Sequence, residues 1–338
     1  MIRASIVFAV LLVVLVPLSL LAGRVWIDPF GTDSAAPNAA LILMELRAPR
    51  AALAVIVGAG LGAAGAAMQG YLRNPLADPG LFGIAPMAAL GAVASFWTGG
   101  LLSPALAAWS LPAFALIGAG LAMALLALIA GRSMSDGAGR FGGGAGGGIA
   151  LFTLAGLMIA SLAGALTALA ITLAPNPFAL SQIVLWLNGA LTDRSWDEVW
   201  LAGPLVALGI GALALAARSL DALTLGEEAA RSLGIDPRAL LWLLIAGIGL
   251  TVGASVAVAG IIGFVGLIVP HLVRPLTDRM PSSLILPSAL AGACLVLVAD
   301  CAVRIAPFVT ELRLGIALSL IGAPFFLWLL IKMRRGDV

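Results

Sequence analysis

The chain has 338 residues, of which 62% are hydrophobic and 10% charged, with a net charge of +2, and its mean hydropathy is +1.14. A soluble domain carries roughly 25% charged residues, so this composition excludes one and predicts an all-α, polytopic membrane protein. No basic run of the kind that binds nucleic acid is present.

Crossing a hydrocarbon core about 30 Å thick takes about 20 apolar residues, because every backbone N–H and C=O must be bonded within the segment. By that measure the sequence predicts ten spans, at approximately 5–22, 51–70, 81–101, 105–130, 149–173, 199–217, 239–259, 261–273, 284–303 and 314–331. The first follows Arg3 and resembles a signal peptide. Its apolar run exceeds the roughly 7 to 15 residues of a leader core and no small-x-small site closes it, so it reads as a retained span. Gly58 and Gly62 in span two, and Gly249 and Gly253 in span seven, stand at the spacing that lets helices approach closely in a bilayer.

Between spans four and five, the glycine run 142–148 lacks the Lys and Ser/Thr of a phosphate loop and reads as a flexible turn. The stretch 178–191, framed by Pro175-Asn176-Pro177 and Thr192-Asp193-Arg194, is 14 residues long. That length predicts a re-entrant or interfacial segment. Residues 239–273 are apolar for 35 positions, about 52 Å if helical. Such a run must break, and Gly260, Gly263 and Gly266 are the expected places. Cys294 and Cys301 lie seven residues apart in span nine, roughly 10 Å along a helix, too far for a disulfide.

Ten spans put both termini on one side. If that side is cytoplasmic it holds Arg3, Arg73, Arg132, Arg140, Arg218, Arg231, Arg238, Arg274, Arg279, Lys332, Arg334 and Arg335, which is 12 of the 18 basic residues. Arg24, Arg47, Arg50, Arg194, Arg304 and Arg313 remain outside. The positive-inside rule therefore predicts cytoplasmic N- and C-termini.

Chemistry is sparse. There is no G-x-x-x-x-G-K-[ST] loop, and the sole lysine is Lys332, so the chain itself is not expected to hold a nucleotide. His271 is the only histidine and no metal-ligand cluster is spaced for use. A hydrolase would need Ser255 with His271, although small residues followed by Ser are ordinary packing material. Asp300 and Arg304, spaced i,i+4, are the only ionisable residues close to a membrane interior and can pair on one helix face. No catalytic residue, metal or cofactor is assigned to the chain.

The segment 219–237 differs in character. Leu225, Gly226, Glu227, Glu228, Ala229, Ala230 and Arg231 lead to Gly234, a residue suited to a helix C-terminus, and Ile235-Asp236-Pro237 cannot continue the helix. A short amphipathic helix between two spans is predicted. A solvated loop is the plain alternative.

Six ordered blocks resemble one family. They are Leu46-Arg47-Ala48-Pro49-Arg50; Met68-Gln69-Gly70 with Asn74-Pro75-Leu76-Ala77-Asp78-Pro79-Gly80; Leu225 through Gly234; Gly263-Phe264-Val265-Gly266-Leu267-Ile268-Val269-Pro270-His271; Ala299-Asp300 with Arg304; and Ile321-Gly322-Ala323-Pro324-Phe325-Phe326. Over nearly the whole chain it is similar to the permease subunits of binding-protein-dependent ABC importers for iron chelates, haem and vitamin B12. The resemblance implies a type II importer architecture filling 1–338 as one transmembrane domain in a bacterial inner membrane.

It further implies a homodimer or close heterodimer, two separate ATPase subunits that use ATP and Mg, and a periplasmic or lipid-anchored substrate-binding protein. The 225–234 block would seat in the ATPase, and Arg47, Arg50 and Arg304 would face outward toward carboxylates of the docked binding protein. The turn entering span five, where such proteins carry small polar residues, falls here at Ile149 and Ala150, the candidate cytoplasmic gate. An iron-siderophore complex is the expected cargo, with haem or cobalamin as alternatives. A secondary transporter and an intramembrane hydrolase are the more distant readings.

Overall fold

The computed structural model describes residues 2–23, 39–98, 103–135, 147–307 and 310–334. Arg24, Arg140, Arg335 and positions 142–146 of the glycine run lie outside the described residues. Helix α1 (Ile2–Leu21) comes first, and the single turn α2 (Ala39–Leu41) widens through a π-helical turn (Ile42–Arg47) into α3 (Ala48–Tyr71). Then follow α4 (Ile84–Thr98), α5 (Pro104–Ser135), α6 (Gly147–Thr172), α7 (Pro177–Leu187), α8 (Trp196–Leu223), α9 (Glu227–Ser232), α10 (Pro237–Ala259), α11 (Val265–Val273), α12 (Pro281–Ile305) and α13 (Leu314–Arg334). No strand occurs among the described residues.

Among the described residues eight helical stretches are long and apolar enough to cross a membrane. The other two of the ten expected spans fold as shorter helices, α4 with 15 residues and α11 with 9. In the first case Asp78 starts a 3-10 turn over Pro79–Phe82 by accepting from the Gly80 N–H at 2.7 Å, and Gly83 closes it, so α4 begins only at Ile84. In the second, α10 stops at Ala259, Gly260 takes φ 71°, and the chain runs without helix to Phe264. The break thus falls at Gly260 and Gly263. Gly266 sits inside α11 instead, where its carbonyl would collide with any Cβ on Gly65 of α3. As expected from its length, 177–187 is a short helix, started by Asn176 accepting from the Ala179 N–H at 2.8 Å.

Helix α3 is the axis of the bundle, packed against α12, α8, α10 and α11. Its glycines explain why. A Cβ on Gly58 or Gly62 would strike the carbonyl oxygen of Gly292 or Ser288 on α12, so these antiparallel backbones touch without intervening side chains, the packing that replaces hydrophobic drive in lipid. Gly249 and Gly253 of α10 instead make room for side chains of α5, those of Met123 and Ala119. Buried positions make up 78% of the most apolar stretch of α3 and of α10, against 11% for α1. The outer helices therefore show lipid an apolar face that includes Val10 and Val13 of α1.

These contacts sort the two ends. Helices α3 and α8 run parallel, with Gly60 facing Val206 and Gly70 facing Leu220, and Pro281 at the start of α12 also meets Gly70. The end of α3, the end of α8 with α9, and the start of α12 therefore share one end of the bundle. The start of α3 and the ends of α1 and α12 share the other.

Candidate functional site

Helix α9 is built by local signals. Gly226 enters it at φ 103° and Gly234 leaves it at φ 82°, and at neither would a Cβ meet another atom within 4 Å. These glycines serve backbone conformation and not packing. At the exit the Gly234 N–H donates to the Arg231 carbonyl at 2.9 Å and the Ile235 N–H to the Ala230 carbonyl at 3.1 Å, the paired bonds of a Schellman ending. Glu227 and Glu228 in the first turn and Arg231 in the last complement the helix dipole. Asp236 then caps α10 by accepting from the Arg238 N–H at 2.8 Å.

Only Ala230 of this helix is buried, whereas Leu225 and Leu233 are 68% and 63% exposed. Two bare leucines beside three exposed or half-exposed charges make a surface suited to a partner. The turn is also tied to the spans, since Asp221 at the end of α8 accepts from the Ser282 N–H of α12 at 2.8 Å. The expected short helix is therefore present, firmly ended, and braced.

At the opposite end the three arginines do not share one environment. Arg47 donates to the Leu20 and Leu21 carbonyls at 2.8 and 2.9 Å, closing the last turn of α1. Arg50 and Arg304 are only 9% and 7% exposed, and their charges are met inside the chain. Arg50 grips Asp300 through Nε at 2.9 Å and Nη2 at 2.8 Å, and it also pairs with Glu311. Arg304 Nε lies 3.1 Å from Asp300 Oδ2, and its Nη2 donates to Ser19 at 2.7 Å. The i,i+4 pair expected on α12 is formed, but as part of a larger knot joining α1, α3, α12 and the segment before α13.

Asp300 is fully buried there. The reason for the knot is dielectric: a charge out of water is tolerated when it is paired and hydrogen-bonded. Burial alone would raise the Glu311 carboxyl, but the hydrogen bond and charge of Arg50 outweigh it and hold the group below the usual carboxylate range.

Toward the α9 end, Gln69 is buried and donates to the Leu267 carbonyl at 3.2 Å while accepting from Arg274 Nη2 at 2.9 Å, locking α11 to α3. Phe152 of α6 stacks edge-on against Phe82, with ring centroids at 4.4 Å, and against Tyr71, at 5.9 Å. Ile149 and Ala150 begin α6 one turn before Phe152, hence at the α9 end; Ile149 is half-buried against the core and Ala150 is exposed. Glu311 and the Tyr71–Phe152–Phe82 cluster escaped the sequence reading, and Gln69 entered it only within the Met68-Gln69-Gly70 block, without a role. For Glu311 a signal existed, because a carboxylate in so charge-poor a chain has few places to go except an arginine.

Ser255 donates to the Thr251 carbonyl at 2.7 Å and His271 lies edge-on to Phe325 at 6.2 Å, so the two are not paired for hydrolysis. Among the described residues no group of three His, Cys, Asp or Glu could hold a metal. Cys294 and Cys301 are free.

Comparison with known proteins covers almost the entire chain. The vitamin B12 import system permease protein BtuC of Escherichia coli O9:H4 (strain HS) is 35% identical over 341 residues, spanning 99% of this chain and 96% of that protein. BtuC of Salmonella paratyphi A (strain ATCC 9150 / SARB42) is 36% identical over 325 residues, 94% of this chain and 91% of that one. A solved structure of a metal-chelate type ABC transporter in an inward-facing conformation superposes with a TM-score of 0.85 at 29% identity, over 98% of this chain and 100% of that one. The FecCD transport family matches residues 11–332. With its helical bundle and its exposed helix between spans, this chain belongs to the FecCD transport family and has the architecture of an ABC importer permease.

Proposed function

We propose that this permease carries vitamin B12 or a related corrinoid across a bacterial inner membrane. The support is the naming of its curated relatives as vitamin B12 permeases at 35% identity over nearly full length. The expected iron-siderophore cargo has less behind it, resting on the metal-chelate type structure at 29% identity. The route is completed by a second copy of the chain. Two ATPase subunits receive α9 at the cytoplasmic end, and a substrate-binding protein docks at the end where Arg47, Arg50 and Arg304 gather. On this reading both termini are cytoplasmic, and nucleotide chemistry belongs to the partner.

The observation that carries the proposal is α9. It is a helix of six residues, firmly capped at its exit, bare on its outer face, and joined without slack to α8 and α10. A partner closing on it would move both spans as levers, switching access from one side to the other. The start of α6, with Ile149 and Ala150, stands at the same end and is the proposed gate; Ile149→Ala should raise basal leak without loss of insertion.

Uptake into proteoliposomes containing the permease, its ATPase and its binding protein tests the cargo. Labelled cobalamin should accumulate with ATP at least tenfold above a ferric siderophore. The reverse preference would return the siderophore reading, and accumulation driven by a proton gradient without ATP would refute both.

A further inference from the structure

Residues 261–264 hold four consecutive backbone N–H groups that donate to no described residue, and the Ile261, Ile262 and Gly263 carbonyls accept from no described residue. The flanks are satisfied. Gly260 donates to the Val256 carbonyl at 2.9 Å, and the Phe264 carbonyl accepts from the Leu267 and Ile268 N–H groups at 3.2 and 2.9 Å. Among the described residues 191–193 and 310–312 also lack backbone partners, but they lie at the end of the bundle where Thr192 and Arg50 meet Glu311, within reach of water.

The depth of 261–264 makes the feature informative. The upper end of the segment lies against the turn after α7 and the start of α13, where a Cβ on Gly189 or Gly315 would collide with the Ile261 carbonyl. The lower end enters α11, whose Gly266 packs on Leu61 and Gly65 of α3. Those positions stand six to ten residues before Tyr71, about 9–15 Å inside that end of the bundle. The non-helical segment therefore passes through the membrane layer.

Unpaired backbone cannot face hydrocarbon, and non-helical backbone at such depth is tolerated only inside protein or along a water-filled cavity. Protein does not enclose this one. Ile261 is 36% exposed, and a Cβ added to Gly263 would meet nothing within 4 Å. Ile262, between them, is 8% exposed and anchors the segment to the core.

We propose that 261–264 is a wetted wall of the translocation route: its amides and carbonyls are bonded to water, and the missing side chain at Gly263 leaves width for a bulky cargo. A polar surface made only of backbone, with no side-chain charge, offers a hydrogen-bonding solute weak and exchangeable contacts. The inference rests on the transport function proposed above, and its first test needs neither cargo nor ATP.

In a background with Cys294 and Cys301 replaced by Ala, single cysteines are placed at Gly263, Ile261, Ile262 and, on the lipid-facing side of α1, at Val13. Reaction with a charged, membrane-impermeant methanethiosulfonate is then followed in proteoliposomes containing the full permease–ATPase complex. Gly263→Cys and Ile261→Cys should react at least tenfold faster than Val13→Cys, with Ile262→Cys slow. Equal rates at 263 and 13 would overturn the proposal, including by burial against a second copy of the chain. Should Gly263→Cys fail to insert, the rate at Ile261→Cys decides between the same two outcomes. Gly263→Trp should then cut labelled-cobalamin uptake at least fivefold with ATP hydrolysis retained. Full uptake in that variant would mean that the wetted wall is not the route. Loss of ATPase association in every variant and in the parent would instead count against the proposed function.

Discussion

At one end of the bundle Arg50, Arg304, Asp300 and Glu311 are folded into a single ion-pair network, while at the other Glu227, Glu228 and Arg231 stand on α9 with Leu225 and Leu233 bare beside them. The first arrangement uses its charges to hold α1, α3, α12 and the segment before α13 together. The second leaves them, with apolar surface, for something else. In a chain with 10% charged residues, that contrast separates residues kept for the fold from residues kept for a partner.

The contrast is sharpest at Asp300. Replacing it with Ala leaves the buried Arg304 without its carboxylate and Arg50 with Glu311 alone, and breaking a buried pair in this way costs about 3–5 kcal/mol. Thermal unfolding in detergent should show the largest drop of any single change discussed here. A loss under about 1 kcal/mol, the worth of a surface pair, would erase the distinction between the ends.

Acid probes the same network more gently. The folded Glu311 carboxyl is depressed by Arg50, so its stabilisation is fully present above the ordinary glutamate pKa of about 4.3 and is lost as pH falls through the lower folded value. The melting temperature should therefore decline below about pH 4, and Glu311→Gln should flatten that part of the profile. An unchanged acid limb in the variant would remove Glu311 from the network.

At the α9 end the expected effects on stability shrink. Gly234→Ala forces a side chain into the left-handed region at φ 82°, which costs about 1–2 kcal/mol, and the first symptom should be weakened coupling of ATP hydrolysis to uptake. Glu228→Lys lies on an exposed face and should alter stability by less than about 0.5 kcal/mol while lowering ATPase affinity several-fold. Should that variant melt early, α9 would be a structural element and not a handle.

How much of this could be read in the sequence depends on the range of the interactions. Helix α9 was legible because its determinants lie within ten residues, namely the acidic first turn, Gly234 and Pro237. The interrupted 239–273 stretch was legible because length alone forbids one helix there. The arginine knot was not, because Arg50 and Glu311 are 261 positions apart and Arg50 and Asp300 are 250 apart, and only the i,i+4 partner of Asp300 is visible locally. Gly266 misled for a different reason: a glycine that permits helix contact and a glycine that ends a helix look alike until α3 is seen lying against it.

On the proposed function α9 is the seat for a separate nucleotide-hydrolysing subunit that drives this permease. Leu225→Asp with Leu233→Asp tests it most directly, through pull-down of that ATPase by the purified permease together with the permease's melting temperature. Loss of the ATPase at an unchanged melting temperature is the predicted result, and undiminished association with ATP-driven uptake intact would contradict the account.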